Sequence, residues 1–301
     1  MDKDPLVGQP KEVSRVLWIT FAMNEGVALV KLVVGYATGS VGMISDGFHS
    51  MFDGVSNIVG LAGIHLAYLP PDKEHPYGHR KYESLLTALV GVMIFGTCFE
   101  VLRKALTALK GTIVPEAGTL SFTVMLITIG VNLYVMLYES GKGRELGSEF
   151  LVADAMHTKS NILSSSGVLA GLVLTRLGVP MADAVAALLV AALIARVGYD
   201  ILKSSADVLV DTVQVDEDSV CRAVFSVEGV LDCHGIRSRG SRNHISLDLH
   251  IQLSPDTSLE KAHAKTHEVK AAILKALPEV RDVVLHTEPY SGPGGGHSHK
   301  T

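Results

Sequence analysis

Six long apolar stretches fill the first two thirds of the chain, at residues 16–38, 41–69, 84–109, 120–138, 151–177 and 181–202. Most approach or exceed the roughly 20 residues with which a helix crosses the hydrocarbon core of a bilayer. They predict an α-helical membrane bundle of six transmembrane helices. The fifth stretch departs from the others because its opening, "LVADAMHTKSN", is polar. From about Thr212 the pattern changes. "DEDSVCRAVFSV" has helical spacing, "VLDCHGIRSRG" reads as a strand, and "RNHISLDLHIQL" alternates strictly. Its Ile245, Leu247, Leu249, Ile251 and Leu253 share one face, with His244, Ser246, Asp248, His250 and Gln252 on the other, as in a half-buried strand. An amphipathic helix, "SLEKAHAKTHEVKAAILKALP", and a last strand, "VRDVVLHTEP", complete the order αββαβ, a small two-layer α/β domain. The expected organisation is an N-terminal segment at 1–15, the membrane domain at 16–203, the α/β domain at 204–290 and a flexible tail at 291–301.

Composition supports that division. The chain is 48% hydrophobic and only 19% charged, with a mean hydropathy of +0.32, too apolar for an ordinary soluble domain. A net charge of -5 gives no electrostatic footprint for nucleic acid. Cys98, Cys221 and Cys233 form no CxxC pair, so neither a disulfide framework nor a thiolate zinc site is readable. No cleavable signal peptide is legible in the polar "MDKDPLVGQPKEVSRV" before the first apolar run. Positive charge gathers in the N-terminal segment (Lys3, Lys11, Arg15), the second-to-third loop (Lys73, Arg80, Lys81) and the fourth-to-fifth loop (Lys142, Arg144). With an even number of spans this places both termini in the cytoplasm. Arg103, Lys104 and Lys110 fall on the opposite side and are the exception.

Histidine changes the picture most, with 13 residues in a few clusters. In "SDGFHSMFDGVSN", His49 and Asp53 are four apart and so lie on one helical face. The fifth stretch repeats the spacing with His157 and Asn161, and in each case an aspartate (Asp46, Asp154) precedes the histidine by three. Ionisable groups inside a membrane are expensive and normally face the bundle interior at a functional site. Were the two helices to pack together, four nitrogen and oxygen donors would converge, enough for a tetrahedral divalent cation. The bland alternative is interhelical hydrogen bonding alone, and the repeated spacing favours the site. A second group, Asp72, His75 and His79, lies in the loop "PPDKEHPYGHRKYES", where a solvated loop is the equal alternative. A third comprises His234, His250, His263, His286 and Glu288 in the α/β domain, whose convergence spacing does not establish.

Taken together, "GSVGMISDGFHSMFD", "PDKEHPYGHRKYES", "VADAMHTKSN", "ADVLVDTV" and the His-bearing α/β domain resemble the cation diffusion facilitator family over nearly the whole chain. The resemblance implies a transport site of His49, Asp53, His157 and Asn161, supported by Asp46 and Asp154 without direct metal contact. It implies a loop site of Asp72, His75 and His79, and a ferredoxin-like cytoplasmic domain whose regulatory metal cluster maps to His234, His250, His263, His286 and Glu288. Glu288 stands where the family often has Asp. Lys81 and Asp211 match an interlock between subunits. The implied protein is a homodimer in the lipid of a bacterial inner (plasma) membrane that exports Zn2+, Fe2+ or Mn2+ in exchange for protons, and it is not an enzyme.

Metal and protons compete for the same imidazole and carboxylate lone pairs, so such an exchange is chemically consistent. Access would alternate by rocking of the bundle about a fixed site. Asn161 is the main departure, since the common zinc pattern of the family has Asp there. Only Asp53 then contributes charge, which predicts weaker zinc binding and leaves room for iron(II), manganese(II) or cobalt(II). It also keeps open an alternative, a metal-responsive scaffold or sensor of the same fold with little transport. An intramembrane metalloenzyme would need a general base as in H-E-x-x-H, and the chain carries no such motif.

Overall fold

A computed structural model describes residues 9–39, 41–109, 119–176, 182–241 and 243–292. Residues 1–8 of the expected N-terminal segment and 293–301 of the expected tail lie outside them. The chain divides into two compact units, Met1–Ala206 and Asp207–Thr301.

The first unit is all helical: α1 (Gln9–Thr38), α2 (Val41–Ala67), α3 (Lys81–Leu109), α4 (Thr119–Leu146), α5 (Glu149–Arg176) and α6 (Ala182–Leu209), the last running through the boundary. Each matches one apolar stretch, and the largest difference is α4, which continues about two turns past Tyr138 through "ESGKGREL". Parts of α1, α3, α4 and α6 are long and apolar enough to cross a membrane. Among the described residues α2 and α5 do not reach that threshold, and they are the helices that carry the polar D-x-x-H-x-x-x-[D/N] segments. Large apolar side chains such as Leu29, Phe52, Phe99, Leu137 and Leu189 face outward, the surface that lipid-facing helices require.

Packing brings α2 and α5 close. α1 packs on α2 and α4, α4 on α5, and α3 on both α2 and α5. Gly60 of α2 seats the ring of the buried Phe150 of α5 where a Cβ would stand, the small-residue device by which helices approach in lipid. The start of α5 is fixed by local sequence. Gly147 ends α4 in the left-handed conformation (φ 63°), and the Ser148 N–H donates back to Gly143 O at 2.9 Å, closing a Schellman turn. Ser148 then caps α5, its hydroxyl accepting from Leu151 N–H at 3.3 Å and donating to Glu83 Oε1 of α3 at 2.6 Å. The buried Glu83 carboxylate also accepts from Phe150 N–H, placing a carboxylate at the positive end of the helix dipole. A single serine and glutamate thus tie α3 to the start of α5.

The second unit has the expected αββαβ order: α7 (Glu217–Phe225), β1 (Val230–Ser241), β2 (His244–Leu253), α8 (Leu259–Ala276) and β3 (Val280–Pro289). β2 is central, antiparallel to β1 and parallel to β3. Asp216 and Ser258 cap α7 and α8 through their side-chain oxygens. Ile245, Leu247, Leu249 and Ile251 are essentially inaccessible and pack with Val220, Val224, Val269 and Ile273 of the two helices. The alternation in the sequence therefore reads out correctly on its apolar face. On the polar face Gln252 is the exception, buried at 3% exposure, where it donates to Glu288.

Candidate metal centres

The cavity within the helical unit is small, about 80 Å3, and polar. Asp53 of α2 stands between two residues of α5: Asn161 donates its Nδ2 hydrogen to Asp53 Oδ2 at 3.1 Å, and His157 Nε2 lies 3.6 Å from Oδ1. The latter distance is too long for a hydrogen bond, and among the described residues neither nitrogen of the buried His157 ring has one. Such a ring has lone-pair capacity in reserve at a place where leaving it unused is costly. His49 lines the same cavity but turns toward α3, with Nε2 3.7 Å from Glu100 Oε2. Three of the four expected residues are thus brought together, and the fourth is one turn away facing another helix.

The two preceding aspartates have different surroundings. Asp46 pairs with the buried Lys31 of α1 at 2.8 Å, and Lys31 also donates to Ser50 Oγ at 2.9 Å. Asp154 is buried, and with the Asn57 amide oriented to satisfy both ends, Asn57 donates to Asp154 Oδ2 at 3.1 Å and accepts from Phe21 N–H. Asp154 is the one placed behind His157. Sequence reasoning passed over Lys31, Glu100 and Glu139. Glu139 of α4 is wholly buried, and neither carboxylate oxygen has a hydrogen-bond partner among the described residues. For Lys31 and Glu100 the available signal was a charged letter inside an apolar helical run; Glu139 opens the polar segment "ESGKGREL" and gave no such signal.

The loop group is preassembled. Asp72 Oδ1 accepts the backbone N–H of His75 at 2.6 Å and of Glu74 at 2.9 Å, a turn that folds the loop back on its own carboxylate. Those donors, led by the His75 N–H, hold the Asp72 carboxyl below the usual carboxylate range. His75 Nδ1 and His79 Nε2 stand 3.3 and 3.5 Å from the two Asp72 oxygens, and the rings are 4.3 Å apart. Gly78 (φ 82°) makes the turn that returns His79, buried with its Nδ1 unpartnered, to the group.

In the sheet, pairing places His234 beside His250, His250 beside His286, and Gln252 beside Glu288. Glu288 is the hub: Oε1 is 2.9 Å from His250 Nδ1 and 3.7 Å from His286 Nε2, and Oε2 is 3.5 Å from His234 Nε2. The His250 hydrogen bond is the main reason its carboxyl lies below the ordinary glutamate range. Asp232 holds the other His234 nitrogen at 2.8 Å, orienting the ring as carboxylates do for metal-binding imidazoles. His263 is not part of this group. It lies on α8 with Nε2 3.2 Å from His267 Nε2, because α8 packs against the opposite, apolar face of the sheet. Cys221 and Cys233 place their sulfurs 3.2 Å apart, and burial pushes the Cys233 thiol up. Lys81 opens α3 and is exposed; Asp211 follows α6 in the left-handed region at φ 57°.

Ligand-like groups at these three places, one of them between apolar helices, suit a protein that handles divalent cations. Residues 17–210 match the cation efflux transmembrane domain, and residues 213–290 match the cation efflux protein cytoplasmic domain. An uncharacterised transporter of Methanocaldococcus jannaschii is 31% identical over 280 residues, covering 92% of this chain and 99% of that protein. The manganese efflux system protein MneP of Bacillus subtilis is 28% identical, covering 95% and 99% respectively. The cation-efflux pump FieF of Shewanella oneidensis is 28% identical, covering 90% and 94%. With both halves of the chain accounted for in this way, it belongs to the cation efflux, or cation diffusion facilitator, family and is an integral membrane metal-cation efflux transporter rather than an enzyme.

Proposed function

We propose that the chain exports a divalent transition metal from the cytoplasm in exchange for protons, with Asp53, His157, Asn161 and His49 as the transport site. The observation that carries this reading is Asp53 held between His157 and Asn161 across the α2–α5 contact, inside a polar cavity of a helical bundle. A metal entering this cavity needs neutral imidazole and ionised carboxylate, so its arrival releases protons and its departure takes them up. Six membrane-crossing helices with both termini in the cytoplasm, in a bacterial plasma membrane, complete the picture. Asn161 donates its N–H to Asp53, which leaves its carbonyl oxygen available to the cation. An amide oxygen is a harder donor than imidazole or thiolate, which favours manganese(II) or iron(II) relative to a two-aspartate zinc site. The name of the Bacillus subtilis relative accords with manganese as a cargo.

The loop group (Asp72, His75, His79) and the sheet group (His234, His250, His286, Glu288) are metal sites outside the translocation path, the latter regulatory. The family of the second unit supports a homodimer, and Lys81 with Asp211 is its proposed subunit interlock. His263, absent from the sheet group within one chain, has no ligand role in this reading.

Reconstituted full-length protein in proteoliposomes tests this directly, with Mn2+, Fe2+ and Zn2+ supplied under an imposed pH gradient. Metal movement should follow the gradient and stop when it is collapsed. Asn161→Asp should shift preference toward Zn2+. Flux indifferent to the gradient would remove proton exchange, and unchanged preference in Asn161→Asp would remove Asn161 from the site.

A further inference from the structure

Asp53 is the single carboxylate among His49, Asp53, His157 and Asn161. A divalent ion bound by these four alone would keep a positive charge in a poorly screened, helix-walled cavity. Three further carboxylates line the same cavity: Asp46 is paired with the Lys31 ammonium, Asp154 is buried and bonded by Asn57, and Glu100 is the one that faces a residue of the four. Glu100 of α3 lines it, with Oε2 3.7 Å from His49 Nε2. Glu100 interrupts the apolar run "VMIFGTCFEVL", where an ionisable residue is retained at a cost in insertion free energy. α2 and α3 are neighbours joined by a short loop, so their directions oppose. His49 lies about two turns after α2 begins and Glu100 about two and a half turns before α3 ends, which brings them to one level. His49 therefore links the two halves of the cavity: it shares a helical face with Asp53 and points its ring at Glu100.

We propose that Glu100 is a fifth metal-binding residue of the transport site, supplying from α3 the second negative charge that Asn161 does not. The inference rests on the transport reading of this cavity. Asp53 and Glu100 together neutralise a divalent cation, while His49, His157 and the Asn161 carbonyl add uncharged donors. Two nitrogens and three oxygens exceed the four positions of a tetrahedral zinc site. Such a set suits manganese(II) or iron(II), whose preferred ligands extend to carboxylate and carbonyl oxygen. Charge has been moved from α5 to α3 and not removed, so a neutral complex remains possible without Asp at position 161.

The test is a charge-relocation series in proteoliposomes, read as the Mn2+ concentration giving half-maximal flux. Glu100→Gln keeps the shape and removes the charge; it should raise that concentration about tenfold or more. Asn161→Asp placed in the Glu100→Gln background should recover most of the loss, because it returns the second carboxylate. An unchanged half-maximal concentration in Glu100→Gln overturns the proposal. So does a loss that Asn161→Asp fails to rescue, which would mark Glu100 as a packing partner of His49. Should Glu100→Gln not fold, carbodiimide labelling of the wild-type chain decides. Mn2+ should protect Glu100 several-fold while leaving the exposed Glu145 unaffected, and equal labelling with and without Mn2+ overturns the proposal. If the wild-type chain carries no metal at all, the transport reading fails, and the labelling result still decides Glu100 by itself.

Discussion

The helical-unit cavity and the sheet cluster hold similar donors to different degrees. In the sheet, Glu288 is hydrogen-bonded to His250 and Gln252, with His234 and His286 at 3.5 and 3.7 Å, and Asp232 orients His234, so two of the three imidazoles are held by hydrogen bonds before any cation arrives. In the helical-unit cavity, neither nitrogen of the buried His157 has a hydrogen bond among the described residues, and His49 turns toward Glu100. The difference matches the work each place would do on the proposed reading. A site that holds a metal benefits from rigid preorganisation. On the proposed reading, a site that must release its metal to the other side of a membrane cannot be so deep a well, and donors drawn from separate helices would let it be assembled and dismantled. Solvent matters as well. The sheet cluster is half exposed, so its charges are screened, whereas a carboxylate in the bundle needs a counter-charge or a proton.

Crossed substitutions break this comparison most sharply. His157→Ala should cut metal flux by about a hundredfold, since it removes a buried donor that no neighbour can replace. Glu288→Ala should abolish the sheet cluster, lowering metal binding there by tens of fold, while a basal flux persists. Flux assays beside equilibrium metal binding to the same full-length proteins check both. If Glu288→Ala stops transport as completely as His157→Ala does, the division into a moving and a holding site is wrong.

A smaller effect is expected from the contact of Gly60 in α2 with Phe150 in α5. Gly60→Ala must displace the Phe150 ring, and overpacking of this kind costs about 1–3 kcal/mol. Thermal unfolding in detergent should show the loss. Metal affinity at the Asp53–His157–Asn161 group should fall with it, while the sheet cluster binds as before.

The smallest effect is one of pH. The Glu288 carboxyl is depressed in the folded chain, so it binds fewer protons there than in the unfolded chain. Its contribution to stability is complete above the ordinary glutamate value of about 4.3 and is lost as pH falls through that value and then through its lower folded one. Metal-free Glu288→Gln should therefore show a flatter acid-unfolding profile between roughly pH 5 and 3. A profile parallel to the wild type would remove the His250 hydrogen bond as the cause.

Much of this was legible in the chain. Each apolar run fell on one helix of the first unit, with ends displaced by up to about two turns, because an apolar run reports what suits lipid and not where the helix stops. Period-two alternation identified β2 because one face is packed on α7 and α8. The C-terminal extension of α4 was not legible: "ESGKGREL" is polar, and only the Gly147–Ser148 turn after it marks where the helix stops. His263 was placed with the sheet histidines although α8 lies on the other face of the sheet. Spacing along a chain reports which residues share a face of one element and does not report which face of a neighbour that element covers. Lys31 and Glu100 were missed for a related reason: each is a single charged letter whose partner lies on another helix.

The amino-acid sequence alone therefore determines the division into a helical membrane unit and an αββαβ unit, and the pairing of His49 with Asp53 and of His157 with Asn161 on their helices. Periodicity and length are local properties, which is why one sequence suffices for them. Only tertiary structure decides that Asp53 sits between His157 and Asn161, that His49 faces Glu100, and that Glu288 gathers three histidines. Those relations depend on the rotation of one helix against the next and on strand register. Both are fixed by packing, such as Gly60 against Phe150 and Ser148 against Glu83, between residues far apart in the chain.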